Sequence, residues 1–177
     1  MIRKNGCYNK SIKEFRIKNP LAYSYYSSLN NYNLSLAETI SLPSTLKSIG
    51  NHALRQSGMS EVVIPASVEF IGSDAFYESG ITTLTFEEGS NLNSIGSNAF
   101  YGTTKLTSAI LPEGLTSIGE SAFNRSYVRT VEIPSTVSFI GEHAFTSAVY
   151  VKDITIKATD FEYTSNIFGS SSGYWMG

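Results

Sequence analysis

Few residues of this chain are of the types that catalyse reactions or hold metals, and their spacing decides what they can do. There are two histidines, His52 and His143, a single cysteine, Cys7, and an adjacent carboxylate pair, Glu87 and Glu88. One cysteine forms no disulfide within the chain and builds no thiolate metal cluster. Cys7 stands beside Gly6 and Tyr8 with no histidine near it in sequence, which is not the electropositive setting that makes a thiolate reactive. Glu87 and Glu88 would make a two-carboxylate site only if both faced one pocket, whereas neighbours in an extended segment point to opposite faces. A solvated loop closed by Gly89-Ser90-Asn91 is the plainer reading. The glycine spacings of phosphate loops and dinucleotide folds are missing. No catalytic residue, metal site or cofactor is assigned, and the chain is expected not to be an enzyme.

The charge pattern narrows the partners. Formal net charge is −2 over 177 residues, but residues 1–20 carry Arg3, Lys4, Lys10, Lys13, Arg16 and Lys18 against Glu14, whereas residues 21–177 carry seven basic residues against fourteen acidic ones. An acidic body disfavours nucleic acid, because phosphate binding needs a clustered basic face. The basic N-terminal stretch reads as a solvated cap face or as a contact for something anionic. No apolar run is long enough to span a bilayer, and residues 1–20 lack the apolar stretch of a secretory signal. With 41% hydrophobic residues the chain has ample material for a core.

What organises that core is a repeat. Ile71-Gly72-Ser73-Asp74-Ala75-Phe76 returns as Ile95-Gly96-Ser97-Asn98-Ala99-Phe100, as Ile118-Gly119-Glu120-Ser121-Ala122-Phe123, and as Ile140-Gly141-Glu142-His143-Ala144-Phe145. Ile49-Gly50-Asn51-His52-Ala53-Leu54 precedes them, and a degraded copy runs from Tyr163 to Phe168. Successive Ile-Gly pairs lie 22, 24, 23 and 22 residues apart. A period near 23 is that of a leucine-rich repeat. It also disposes of the histidines: they occupy equivalent positions four coils apart, and stacking at about 4.8 Å per coil separates them by roughly 19 Å.

Each coil also holds apolar residues at i, i+3 and i+5: Met59, Val62, Ile64; Ile81, Leu84, Phe86; Leu106, Ala109, Leu111; Val128, Val131, Ile133; Val151, Ile154, Ile156. In an extended segment i+3 and i+5 share a face, so this is a short strand with one side in the core. Pro43, Pro65, Pro112 and Pro134 follow the strand and end it. Leu46, Val68, Leu115 and Val137, three residues on, fill a second core layer together with the isoleucine of Ile-Gly. Gly50, Gly72, Gly96, Gly119 and Gly141 supply a bend or a close approach that a Cβ would obstruct. Ser73, Asp74, Ser97, Asn98, Glu120 and Glu142 suit the N-terminus of a short helix, with the alanine and phenylalanine turned inward.

The predicted architecture is an α/β repeat solenoid with one short parallel strand plus a short helix or turn per coil and irregular terminal caps. Residues 37–168 form about six coils, residues 1–36 an N-terminal cap or irregular first coil, and residues 169–177 a C-terminal tail or cap. Ile12, Phe15 and Ile17 repeat the strand spacing within the cap. The tyrosine-rich stretch from Tyr23 to Tyr32 reads as a cover for the first strand edge or as a binding patch. Trp175 shields the last coil, stacks on a carbohydrate, or belongs to the termination of a longer array. Phe76, Phe100, Phe123 and Phe145 are expected to form one buried column. Outward strand positions form two further columns: Thr39, Glu61, Thr83, Ser108, Thr130, Asp153, and Ser41, Val63, Thr85, Ile110, Glu132, Thr155. Val63 and Ile110 on either side of Thr85 mark a flat, partly apolar strip. The candidate ligand-binding residues are Val63, Thr83, Thr85, Ser108, Ile110, Glu61, Thr130 and Glu132. β-Branched residues also suit strands irrespective of binding.

The pattern Pro-x-x-ϕ-x-x-Ile-Gly-x-x-Ala-Phe followed by ϕ-x-x-ϕ-x-ϕ, in which ϕ is apolar, resembles the BspA-like, or Treponema-type, leucine-rich repeats over residues 37–168. One departure is visible. The family often has cysteine shortly after Ala-Phe, where this chain has Ser57, Ser79, Thr103, Ser126 and Ala148, small residues that leave the fold intact. The resemblance implies an extracellular or cell-surface protein, some members of the family being adhesins that bind host matrix proteins or other cells, and the leading expectation is a module whose exposed sheet face binds a protein or glycan. A structural spacer that associates weakly end to end is the alternative, and the chain is otherwise expected to be monomeric.

Overall fold

The computed structural model describes residues 14–16, 39–146 and 152–169. Cys7, the stretch from Tyr23 to Tyr32, Ala148, Val151 and Trp175 lie outside the described residues, as does most of the segment 1–36 and all of 170–177. The chain winds into stacked coils, each carrying two parallel strands rather than the expected one. A longer strand recurs as β2 (Thr39–Ser41), β4 (Glu61–Ile64), β6 (Thr83–Phe86), β8 (Ser108–Ile110), β10 (Thr130–Ile133) and β12 (Asp153–Ile156), with β1 (Glu14–Arg16) ahead of them. A two-residue strand follows each as β3 (Ser48–Ile49), β5 (Phe70–Ile71), β7 (Ser94–Ile95), β9 (Ser117–Ile118), β11 (Phe139–Ile140) and β13 (Glu162–Tyr163).

Alternation builds the longer strands. In β4, Val62 and Ile64 are buried while Glu61 and Val63 face outward. The proline carbonyl then accepts the amide three residues on, Leu46 on Pro43 at 2.9 Å and Val68 on Pro65 at 3.0 Å, a tight turn that delivers Leu46 and Val68 to the core. The short strands form one continuous sheet in the order β3-β5-β7-β9-β11-β13, pairing Ile71 with Ile49 and Ile95. The longer strands do not form one sheet. They fall into β1-β2-β4-β6 and β8-β10-β12.

The third side of each coil corrects the expectation of a short helix. No helix occurs among the described residues. Instead the segment after Ile-Gly is a turn whose backbone enters the left-handed region two residues past the glycine, at His52, Asp74, Asn98, Ser121 and His143, with φ between 54° and 58°. It does so again at Gln56, Glu78, Gly102 and Arg125. Alternating handedness prevents an i to i−4 ladder from propagating. The amides that such a helix would use donate to the following coil: Asp74 to Ser97 O at 2.9 Å, Phe76 to Ala99 O at 2.7 Å and Glu78 to Tyr101 O at 2.7 Å. Asp74 and Asn98 are therefore left-handed turn residues, not helix caps. Asn98→Gly is expected to be more stable than Asn98→Ala by about 1 kcal/mol, since only glycine takes φ near +54° without a Cβ penalty. Urea melts of the two variants read this directly, and coincident curves would rule out the left-handed turn.

Inside these three sides the phenylalanine column is as expected. Phe76, Phe100, Phe123 and Phe145 are fully buried, and their rings stack face to face with centroids 5.0, 5.0 and 5.2 Å apart. Leu54 continues the column at one end, buried, and Phe168 at the other, 5.5 Å from Phe145 and partly covered. The repeated glycines pack close rather than bend, and Gly96 and Gly119 illustrate it. A Cβ on Gly96 would lie 2.6 Å from Ser73 N and 2.8 Å from the Gly72 carbonyl carbon, and one on Gly119 would lie 2.6 Å from that of Gly96.

Candidate ligand-binding face

The outward positions of the longer strands line up as the spacing predicts, within each sheet. Glu61 pairs with Thr83 and Val63 with Thr85 in one, and Thr130 with Ser108 and Glu132 with Ile110 in the other. Val63 and Ile110 are 52% and 48% exposed, high for apolar residues on a regular strand. Glu61, Thr83 and Thr85 are exposed and Ser108, Thr130 and Glu132 half-buried. Glu132 is not a free acid. It pairs with Lys157, and chiefly through this hydrogen bond holds the Lys157 ammonium above the usual lysine range. Asp153 and Thr155 extend the two columns and are exposed.

Between Thr85 and Ile110 the columns are interrupted by the break between β6 and β8. The coil that carries the break is long: Leu84 to Ala109 spans 25 residues, against 22 from Val62 to Leu84 and 22 from Ala109 to Val131. One excess lies at Glu87-Glu88 just after β6, and another at Gly102 to Lys105 just before β8. The two strands consequently separate into a groove of about 670 Å³, floored by Leu84 and Leu111, walled by Thr83, Thr85, Ser108 and Ile110, and rimmed by Glu87, Glu88 and Glu113. Four of the eight residues proposed from sequence thus line one concavity, and Val63 flanks it on the β4 side.

The other chemical candidates are engaged elsewhere. Glu87 Oε2 accepts the Ala66 amide at 2.9 Å, so this carboxylate closes a turn rather than pairing with Glu88. His52 faces Asp74 at 3.4 Å, and His143 lies beside Glu142 at 3.4 Å and Thr146 at 3.1 Å. These are separate surface contacts. Among the described residues no three of His, Cys, Asp and Glu are placed to share a metal. The outer face of the short-strand sheet holds a feature that sequence reasoning passed over: Phe70 and Phe139 are exposed where equivalent positions carry Ser48, Ser94 and Ser117. The signal was an aromatic residue just before Ile-Gly.

The model of the BspA-type leucine-rich repeat region matches in six copies, over residues 1–87, 26–152 and 71–173. The chain belongs to the BspA-type leucine-rich repeat family. Two solved leucine-rich repeat proteins share its fold. A leucine-rich repeat protein from Eubacterium ventriosum superposes with a TM-score of 0.61 at 23% identity, over 85% of this chain and 37% of that one. The T. pallidum leucine-rich repeat protein gives 0.59 at 21% identity, over 80% and 62%. This BspA-type chain therefore spans less than two thirds of either protein, and the likeness establishes fold. Comparison with curated protein sequences gives no match. Among the described residues, no helix of the BspA-type chain is long and apolar enough to cross a membrane.

At the small-residue positions that follow Ala-Phe or Ala-Leu, this chain buries hydroxyls. Thr103 and Ser126 donate to the carbonyls of Phe100 and Phe123 at 2.8 and 2.6 Å. Ser57 and Ser79 are also buried, with hydroxyls that meet no partner, an arrangement that costs stability relative to a less polar thiol.

Proposed function

We propose that this BspA-type repeat unit is a non-catalytic recognition module of an extracellular or cell-surface protein, and that it binds a protein or glycan through the longer-strand face. One observation carries the proposal: Val63, in register with Thr85, and Ile110 on the far side of the break are each half exposed, beside a groove walled by Thr83, Thr85, Ser108 and Ile110. Solenoids bind along such extended faces, where the scaffold is rigid and a few central side chains dominate the affinity. Glu61, Thr130 and Glu132 form the polar surround.

The double substitution Val63→Lys/Ile110→Lys tests it. Both side chains point to solvent, so the melting curve should shift by no more than about 0.5 kcal/mol equivalent. Parent and double variant are applied in parallel to immobilised extracellular-matrix proteins and to a glycan array. Any component that the parent retains should lose about 2 kcal/mol or more of affinity for the variant. A component held equally by both places the binding surface elsewhere.

The spacer reading has its own observation. At the C-terminal end, Ile156 and Tyr163 are 39% and 66% exposed, although equivalent positions inside the array, Ile133 and Ile140, are buried. β12 and β13 are the last strands of their sheets among the described residues, and such an edge with apolar flanks permits end-to-end stacking. Light scattering over a range of concentrations separates the two, because a spacer that stacks grows continuously while a recognition module keeps one size.

A further inference from the structure

Charge is unevenly placed on the acidic body. Residues 21–177 carry seven basic residues, of which Lys47 and Lys157 are each paired with a glutamate, Glu69 and Glu132. The other five, Arg55, Lys105, Arg125, Arg129 and Lys152, all stand in the segments that precede the longer strands. Those segments, 55–60, 77–82, 101–107, 124–129 and 147–152, hold Glu78 as their one acid, so thirteen of the fourteen acids lie elsewhere. Four of the five cations precede three neighbouring strands of one sheet, β8, β10 and β12. From Arg125 to Arg129 burial alternates: Ser126 and Val128 are buried while Arg125, Tyr127 and Arg129 are exposed. Two guanidinium groups and a phenol ring therefore share the solvent side. Backbone bonds fix what flanks them. Arg129 donates to Thr107 O at 2.8 Å and Lys152 to Arg129 O at 2.8 Å, which sets Lys152 beside Arg129. Lys105, next to buried Leu106, matches Tyr127, next to buried Val128. Both lysines are exposed. Among the described residues no carboxylate lies within ion-pair distance of these four cations, and Arg125 lies over the Tyr101 ring at 5.7 Å.

We infer that Arg125, Tyr127 and Arg129, flanked by Lys105 and Lys152, form a second binding site, and that its ligand is a linear anionic glycan. Each guanidinium presents a planar fork that pairs with a carboxylate or sulfate through two hydrogen bonds. Tyr127, 48% exposed, offers a ring face on which the apolar face of a sugar stacks. Cations of neighbouring coils repeat at the strand spacing of about 4.8 Å, close to the advance of a single sugar along an extended glycan. Successive anionic units thus meet successive coils. Two other polyanions fit less well. An acidic protein would draw its affinity from a buried apolar centre, whereas the remaining exposed positions of 101–107 and 124–129 are Thr104 and Thr107. A nucleic acid is a dense polyanion that needs a long basic track, and this track ends at Glu78 on one side and at Asp153 on the other. The role of this edge does not depend on that of Val63 and Ile110.

Fluorescence polarisation on the full chain tests the site, with labelled oligosaccharides of heparin and of polygalacturonate as probes. The parent should bind at least one, and which one it prefers tells whether sulfate or carboxylate is the group recognised. Binding should weaken as salt rises. Arg125→Gln/Arg129→Gln should weaken it about tenfold or more. Glutamine already occupies the equivalent left-handed turn position at Gln56, with φ of 54°, so this variant keeps the turn. Lys105→Gln/Lys152→Gln, at exposed positions, should weaken binding about threefold, and Tyr127→Ala about fivefold. Lys47→Gln/Lys157→Gln removes as much charge from elsewhere on the chain and should change binding by less than about twofold. Failure of the parent to bind either probe overturns the inference, and so does equal binding by the parent and the arginine variant. An equal loss in the Lys47→Gln/Lys157→Gln variant overturns it too, because it would show a response to net charge alone. Tighter binding of oligothymidylate or of polyglutamate than of either glycan, at matched charge, would make the edge a site for nucleic acid or acidic protein instead.

Discussion

Phe100→Ala lowers the free energy of unfolding by about 3–5 kcal/mol, the usual loss for truncating a buried aromatic. Its ring is fully buried and sandwiched, 5.0 Å from Phe76 on one side and from Phe123 on the other. Backbone cannot relax into the space. The amide of Phe100 donates to Ala122 O at 2.7 Å and Ala99 O accepts from Phe76, also at 2.7 Å, so collapse of the cavity would break hydrogen bonds to both neighbouring coils. Phe168→Ala, at the partly covered end of the column, is expected to cost less. Urea denaturation followed by circular dichroism measures both. A loss below about 1 kcal/mol for Phe100→Ala would contradict the burial of the column, because full removal of a core ring never comes so cheaply unless water already reaches it.

Gly96→Val is the second large effect, expected at about 3 kcal/mol or more from overpacking. Here the first added carbon is the damaging one. A Cβ would sit 2.6 Å from Ser73 N and 3.1 Å from Ser73 Cα, and both are backbone atoms of the coil beneath, which no rotamer change can move aside. Gly96→Ala should therefore destabilise nearly as much as Gly96→Val. Ser97→Val, one residue on and half-buried, should change stability by less than about 1 kcal/mol. Gly102 offers a contrast of mechanism: its φ is +67° and the one tight contact of a Cβ there is with the flexible Glu78 Cγ, at 3.0 Å, so alanine at 102 meets mainly backbone strain of about 1 kcal/mol. Thermal melts that place Gly96→Ala level with Ser97→Val would remove the close-approach role of the glycine column.

The winding, the phenylalanine column and the outward columns were legible because each depends on one residue type at one spacing. Phenylalanine at a 22–24 residue period has nowhere to go but a stacked interior, and alternation in Glu61-Val62-Val63-Ile64 assigns each side chain a face without knowledge of the rest. The left-handed turns were misread for a specific reason: Asp, Asn and Ser before an Ala-Phe pair are favoured at helix N-termini, and Asn and Asp also head the residues that tolerate positive φ. Composition cannot separate the two. What separates them is the neighbouring coil, whose carbonyls capture the amides of Asp74 and Asn98. The two-residue strands escaped notice because Ser48-Ile49 or Phe70-Ile71 is too short to display any periodicity. The groove was half visible. Val63, Thr83, Thr85, Ser108 and Ile110 stand out as candidates in the sequence, and Glu87-Glu88 reads there as a solvated loop. Only the 25-residue interval from Leu84 to Ala109, set beside the 22-residue intervals on both sides, betrays that the strip parts in the middle.

That parting gives the solenoid an uneven compliance. Neighbouring coils are tied on three sides, by longer strands, short strands and turns, but the join between the coil of β6 and the coil of β8 has only two: the β7–β9 ladder, and the turn bonds from Asn98, Phe100 and Gly102 to Glu120, Ala122 and Asn124. In a stack whose units touch only their neighbours, deformation concentrates at the weakest join. Tension along the axis is borne there by the spine opposite the open side, so the array flexes about that spine, and the two halves of the longer-strand face spread or close against each other as the pull rises or falls.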